Sequence, residues 1–513
     1  MKILLIEPPH KYWKIFKFHS ASPALGALSG YLVEKGINVE VLDLNLLPDP
    51  WAVLEETIKK SRPDIAGITC TVVPHIYDAL QVAALIKMLD KNIITVGGGH
   101  MFNALAEESL RAGNLDFIVI GEGEITFLEL INTLAGKNTG FSKIKGLAYL
   151  SEGKFIKTEP RSLIPDLNDL PYPAWHLFPM DRYHIQPLGG KIGFGVSNSR
   201  GCYNKCSYCS ETAQWGAVMR SFSGERTAEH LEILVKKYKK KVFIFGDNDF
   251  LWDRQRLIDF CREIEKRNIK AMYWIQATTK NTIANQDLFP ALKKAGCFNF
   301  QLGIESITPE VLENYRKPQD LSQIEKAIKA IKANGISVTG LFMWGDWYDD
   351  RDSLRRGLKF ILKNCDFWAP NIVNPFPGTD YYLMCEAEGR IKERDLRRYN
   401  QYHIIMPTST MTMEEAQEFY DKTAFSFPVA LKMIQQAIFS PFWPNRVWAR
   451  EFIILDIKYN LFPWTRKIAN KSFQQYLRET GRPEPPWQLV TPPWDEPVPE
   501  RPRKKKGLEF KIV

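Results

Sequence analysis

Three thiols stand close together in the stretch SRGCYNKCSYCSE, at Cys202, Cys206 and Cys209, in a chain of 513 residues that has only eight cysteines. Their spacing, three and then two intervening residues, admits three chemistries. A zinc site usually takes four ligands, and His176 and His184 lie many residues upstream without the spacing of a ligand pair. A redox pair of Cys206 with Cys209 leaves Cys202 unexplained. An iron–sulfur cluster held by three cysteines uses every thiol and leaves one iron open to a non-protein ligand. The other five cysteines are scattered, with Cys261, Cys297 and Cys365 in runs that read as core, so the chain is not a disulfide scaffold. The opening MKILLIEPPH has no cleavage pattern, and a reducing cytosol is the expected compartment.

The elements that must carry these thiols follow from hydrophobic periodicity. Residues 191–388 alternate apolar runs such as IGFGVSNSRG, KVFIFGDNDF, FNFQLGIES and SVTGLFMWGD with helical ones, about six β-α units. That number predicts a partial, open (β/α)6 barrel of TIM type, with chemistry at the carboxyl ends of its strands, where the cysteine loop falls. Residues 1–140 show the same alternation with nearly continuous apolar strands, which predicts a doubly wound parallel sheet. Its strand ends carry Pro8 and Pro9, Thr69 to Val72, Gly97 to His100 and Gly121 to Glu124, and no glycine fingerprint of a nicotinamide domain. Between the two, residues 141–190 read as a linker with a small hairpin and a proline-punctuated hinge.

Residues 389–482 read as a mainly helical, aromatic-rich region. Phe442, Trp443, Trp448, Phe452, Tyr459, Phe462 and Trp464 are interleaved there with arginine and lysine. Such a stretch can cap the barrel, wrap an apolar substrate or touch a membrane surface; capping is the expectation. Residues 483–513 form a proline-rich tail with a basic run. With 45% hydrophobic and 25% charged residues the chain is globular, and its net charge of +9 is too dilute to indicate nucleic acid. The best candidate for a bilayer span, Ile65 to Ile86, is interrupted by Pro74 and Asp78.

The pattern Cys202-x3-Cys206-x2-Cys209, with Tyr208 before the last cysteine, resembles the signature of radical S-adenosylmethionine enzymes. The resemblance implies a 4Fe–4S cluster on these three cysteines and S-adenosylmethionine on its open iron. Reductive cleavage would then yield a 5′-deoxyadenosyl radical that abstracts hydrogen from an unactivated carbon. The resemblance extends to FGDNDF, with Gly246, Asp247 and Asp249 near the methionine end of the ligand, and to LGIES, with Gly303, Glu305 and Ser306 along it. Tyr208 joins this set. GLFMWGD and NPFPGT match the later strands in order. The chain departs from the family where a Gly-Gly-Glu motif is replaced by Gly246-Asp247-Asn248-Asp249, and where proline is absent after Gly345.

A second resemblance covers the first domain. SPALGALSGYLVEKG, GITCTV, VGGGH and DFIVIGEGEITFLELI are similar to the cobalamin-binding domain that precedes the barrel in one branch of the superfamily. It implies a cobalamin site at Pro9, Thr69, Cys70, Thr71, Gly98, Gly99, His100, Gly121, Glu122 and Gly123. Glycines let backbone approach a bulky planar ligand, and hydroxyls can bond a buried nucleotide tail. The Asp-x-His-x-x-Gly loop that supplies a lower axial histidine is absent, so no histidine is expected beneath cobalt, and His75 and His100 read as polar loop residues. A cobalamin-dependent radical S-adenosylmethionine methyltransferase acting on an unactivated carbon is the function these resemblances imply. The alternatives are a ring-forming cyclase with the same cofactors and a sensor without turnover. A methylthiotransferase would need three amino-terminal cysteines, and only Cys70 is there. The implied partners are a low-potential electron donor of flavodoxin or ferredoxin type and a large or apolar substrate such as a lipid, tetrapyrrole or protein. An open iron site implies an anaerobic or microaerobic host.

Overall fold

Ile3 to Ile6 are all buried in β1 (Lys2–Glu7), because helices cover both faces of the sheet that this strand enters. The computed structural model describes residues 1–10, 18–137, 140–424, 426–461 and 470–484. The amino-terminal sheet continues with β2 (Asn38–Asp43), β3 (Ile65–Thr69), β4 (Ile94–Gly98) and β5 (Phe117–Val119), parallel throughout in the order β2-β1-β3-β4-β5. The order reverses between β1 and β3, which opens a crevice at their carboxyl ends. Helices α1 (Pro23–Glu34), α2 (Pro50–Ser61), α3 (Ile76–Leu89) and α4 (Gly123–Leu134) cover it, α1 and α4 on one face and α2 and α3 on the other. Local chemistry starts the first two: Ser22 and Asp49 accept amide hydrogen bonds as N-caps, each followed by a proline preset for the first helical turn.

The stretch expected to be a linker does more than connect. Its hairpin, β6 (Leu147–Ser151) and β7 (Lys154–Lys157), adds antiparallel to β5 and completes a seven-stranded sheet. Beyond it, the chain crosses to a six-stranded, all-parallel sheet in sequential order: β8 (Gly193–Val196), β9 (Val242–Phe245), β10 (Met272–Ala277), β11 (Cys297–Glu305), β12 (Ser337–Trp344) and β13 (Phe367–Ile372). This is the open half-barrel. Its outer helices include α5 (Gly224–Tyr238), α6 (Arg254–Lys266), α7 (Leu321–Ala333) and α8 (Arg351–Asn364), the last two started by reciprocal capping boxes. Phe243 and Phe245 join Leu231, Leu257 and Phe260 of α5 and α6 in one core, whereas Val242 alternates into a different cluster with Trp274 and Phe298.

The carboxyl-terminal helices are α9 (Met413–Ala424), α10 (Phe427–Phe439), α11 (Trp443–Leu461) and α12 (Phe473–Thr480). They serve two bodies. Trp448 of α11 lies 5.1 Å from the Trp274 ring and stacks on Phe367 at 4.6 Å, while Asn445 donates to the Ser337 hydroxyl at 2.7 Å. Those partners sit near the amino ends of their strands, so this part of the aromatic region plugs the barrel at the end opposite the cysteines. In contrast, α12 returns to the first domain, with Phe473 against Trp51 and Arg482 paired to Glu55 at 2.7 Å. The side chain of Tyr459, Phe462, Trp464 and the basic tail from residue 485 lie outside the described residues. Among the described residues no helix is long and apolar enough to cross a membrane.

Candidate functional site

The cysteine loop leaves β8 through a two-stranded ribbon, Ser199–Gly201 against Met219–Ser221. Gly201 is required there: its φ is +81°, and a Cβ would sit 2.1 Å from the Val218 carbonyl. The loop is then pinned from several strand ends. Asn248 donates to the Gly201 carbonyl at 2.9 Å and to Glu211 at 2.8 Å, the Tyr203 hydroxyl donates to Asp249 at 2.7 Å, and Ser207 donates to the Asn314 carbonyl at 2.7 Å. Cys202 and Cys206 are buried and Cys209 half-buried. Burial pushes the Cys209 thiol up to about 12 and raises Cys206, against which the Lys317 ammonium pulls. Among the described residues no three histidine, cysteine or carboxylate side chains converge on a single ion. Three soft donors in a shielded loop, with a cation facing them, fit a cluster whose irons each take one thiolate.

Around this loop the structure gives the other expected site residues distinct positions. The Asp247 carboxylate is fully buried and committed to Arg256 at 3.0 Å and to the Asn198 amide at 3.1 Å. Asp249 is equally buried and accepts from Tyr203, Thr278 and Asn281. Both carboxylates are buried among protein donors, and in this arrangement they support the loop. Glu305 ends β11 at φ +61°, beside a register shift between β11 and β12, and this left-handed backbone turns its carboxylate onto Lys317 at 3.0 Å. Tyr208, whose ring packs edge-on against Tyr315 at 4.9 Å, is half-buried beside the same carboxylate. Gly303 keeps the space open, since a Cβ would lie 2.8 Å from Glu305 and 3.0 Å from Lys317. The Ser306 hydroxyl accepts from the Thr308 amide and is buried.

A cavity joins the two domains. On one side it is walled by Thr69, Thr71, Gly98, Gly99, His100 and Gly121 to Glu124, and on the other by Ser197 to Arg200, Glu211, Gly246 and Asn248. The expected cobalamin residues therefore converge, with two exceptions: Pro9 and Cys70 are buried but do not line it. The Cys70 thiol turns back to the Val72 carbonyl, and its strand-end backbone is what Gly99 packs on. Gly98 and Gly121 line the cavity with nothing within 4 Å of where a Cβ would stand, so the glycines leave a cradle that side chains would otherwise fill. That cradle, with hydroxyls at Thr69 and Thr71 and apolar walls from Leu28, Val96 and Phe127, fits a large planar ligand with a polar tail. His100 lines the wall near Glu211 at 3.4 Å; His75 does not, being stacked on His10 at 3.6 Å and kept neutral by burial.

Electrostatics hold the two walls together. Arg200 reaches across to Glu122 at 2.7 Å and Glu124 at 2.5 Å, while Arg220 bonds Glu122 at 3.0 Å and the Ile164 carbonyl at 2.6 Å. Burial opposes ionisation of Glu122, but the two guanidiniums outweigh it and hold the carboxyl below its ordinary range. A second tie runs from the connecting segment: the Trp175 indole donates to His230 Nε2 at 3.0 Å, which leaves Nδ1 protonated to donate to Asn198 at 2.7 Å. Burial takes the His230 pKa down to about 3, so the ring stays neutral in this chain of bonds. Sequence reasoning missed Arg200, Arg220, His230 and Lys317. Arg200 and Glu122 are 78 residues apart, and no periodicity connects them.

Residues 196–356 match the family model of the radical SAM superfamily, and residues 17–131 that of the B12 binding domain. An uncharacterized methyltransferase of Pyrococcus horikoshii is 32% identical over 444 residues, 86% of this chain and 95% of that protein. The anaerobic magnesium-protoporphyrin IX monomethyl ester cyclase of Rubrivivax gelatinosus is 28% identical over 433 residues, 81% of this chain and 75% of its own length. Among solved structures, the radical S-adenosylmethionine methyltransferase TsrM from Kitasatospora setae, with cobalamin and an iron–sulfur cluster bound, superposes with a TM-score of 0.68. The match covers 90% of this chain and 99% of that one at 16% identity, a likeness of fold.

Proposed function

Because the chain belongs to the cobalamin-binding radical S-adenosylmethionine methyltransferase family, we propose that its interdomain cavity is where a methyl group is delivered to an unactivated carbon of a large or apolar substrate. The cofactors of the family are a 4Fe–4S cluster, S-adenosylmethionine and cobalamin, which together supply a 5′-deoxyadenosyl radical and a transferable methyl group. The observation that carries the reading is the shared cavity, whose walls bring the glycine cradle of one domain against the loop and strand ends of the other.

In this reading Cys202, Cys206 and Cys209 hold the cluster, and Lys317 offsets the negative charge of the thiolates. Asp247 and Asp249 brace the loop, leaving Gly246 and Asn248 to face the cavity. Gly98, Gly99, Gly121 and Gly123, with Thr69 and Thr71, receive the corrin and its tail. Apolar side chains of α1, β4 and α4 keep water from the reacting face, which shields a carbon radical from stray hydrogen donors. Turnover requires a low-potential reductant, of flavodoxin or ferredoxin type in this proposal.

The test is anaerobic reconstitution with iron, sulfide and hydroxocobalamin, followed by mass spectrometry of S-adenosylmethionine products under a low-potential reductant. Joint formation of 5′-deoxyadenosine and S-adenosylhomocysteine is expected, with deoxyadenosine abolished in Cys206→Ala. The 28% identity to the cyclase supports a second reading, cyclisation, and deoxyadenosine without homocysteine would favour it.

A further inference from the structure

A stripe of large apolar side chains faces water along α10. Phe427, Leu431, Ile434 and Ile438 are 71%, 54%, 44% and 59% exposed, and their spacing of four, three and four residues puts them on one helical face. Phe439 at the end of the helix is 75% exposed. The other face is satisfied: Val429, Met433 and Ala437 are buried, the last two in a cluster with Phe367, Trp448 and Ala449. The neighbouring α11 adds exposed Ile454 and Ile457. Elsewhere among the described residues, exposed large apolar side chains are mostly scattered singly, as on ordinary soluble surfaces.

The charge along α10 and into α11 is mainly basic, although Glu451, half-buried and bonded to Gln186, and Asp456 follow in α11. From Phe427 to Arg450 the sequence contains Lys432, Arg446 and Arg450 and no aspartate or glutamate. On α10 and α11 the charged side chains described as exposed are Arg450 and Lys458, which share a helical face with Ile454 and Ile457. A second copy would bring two like-charged rims together, whereas anionic headgroups complement them. An apolar helical face with basic flanks and phenylalanines at both ends has the character of a helix that lies in the bilayer interface.

We propose that the α10 face docks on an anionic lipid bilayer, lying in its surface without crossing it. Vesicle binding needs neither cluster nor corrin, so its outcome is independent of the proposed chemistry. The experiment is flotation of the purified full chain with vesicles of phosphatidylcholine alone or mixed with phosphatidylglycerol, beside the variant Leu431→Glu/Ile438→Glu. The expected result is flotation with the anionic vesicles, weakened by salt, with binding reduced more than about tenfold in the variant while its melting temperature is retained. Equal flotation of the variant, equal binding to neutral vesicles, or no binding by the native chain would overturn the proposal. So would a concentration-dependent dimer in light scattering that the variant abolishes, which would make a second copy the occupant. Should the variant melt early, Leu431→Gln/Ile438→Gln repeats the comparison.

Discussion

Lys317 carries its charge almost wholly out of water, with a side chain only 10% exposed, because Glu305 and the cysteine loop lie against it. Burial acts to strip the proton, and the carboxylate and Cys206 outweigh burial, so the ammonium is held above its ordinary range. Removing one member of such a pair leaves the other buried and unpaired. Lys317→Met is therefore expected to cost about 3–5 kcal/mol of stability, and Lys317→Met/Glu305→Gln to recover most of it. Urea unfolding of the apo protein decides the matter, and an equal loss in the single and double variants would show that the pair is not coupled. The strained φ of Glu305 fits the same picture: a non-glycine residue stays left-handed only where surrounding bonds over-determine it.

At the scale of elements, the turn after β4 separates two uses of glycine. Gly99 has φ +102°, and a Cβ there would stand 2.6 Å from the Cys70 carbonyl, so Gly99→Ala strains the turn itself. Gly98, facing the open cavity, has no such neighbour. Gly99→Ala is expected to lower apo stability by about 1–3 kcal/mol. Gly98→Ala should leave it within about 0.5 kcal/mol, as for a substitution that meets nothing. Yet absorbance titration should find cobalamin binding weakened in both. Undiminished binding in Gly98→Ala would remove the cradle from the reading. The same turn shows what sequence can report here: glycines mark a backbone that must approach something, but a residue at a strand end such as Cys70 can point either way. Cys70 points into the α2–α3 core.

Across the whole molecule, cohesion of the two domains rests on a few buried charges and on chain crossings. Glu122 joins the first domain to Arg200 and Arg220 of the barrel side and to the backbone of Ile164 in the connection. Glu122→Gln leaves Arg220 buried without a carboxylate. A loss of about 3–5 kcal/mol is expected, with faster proteolysis in the 158–190 connection. Glu124→Gln should cost less, because Arg200 keeps Glu122. Unchanged proteolysis in Glu122→Gln would mean that α12 and the carboxyl-terminal segment packed on the first domain suffice to hold it.

The sequence by itself determined the grouping of three thiols in one loop, the two β-α series and their order, and the strand ends that carry loops. Each of these depends on neighbours along the chain: a thiol spacing, an apolar period, a cap such as Asp320 with Gln323. Only the tertiary structure decided what lies far apart in sequence. It set Glu122 against Arg200, turned Asp247 and Asp249 inward to become braces, and joined the hairpin to the first sheet. It also sent α11 to the barrel floor and α12 back to α2. Periodicity records which face of an element is buried, but not which element buries it, and a buried charge is recognisable only when its partner has been folded onto it.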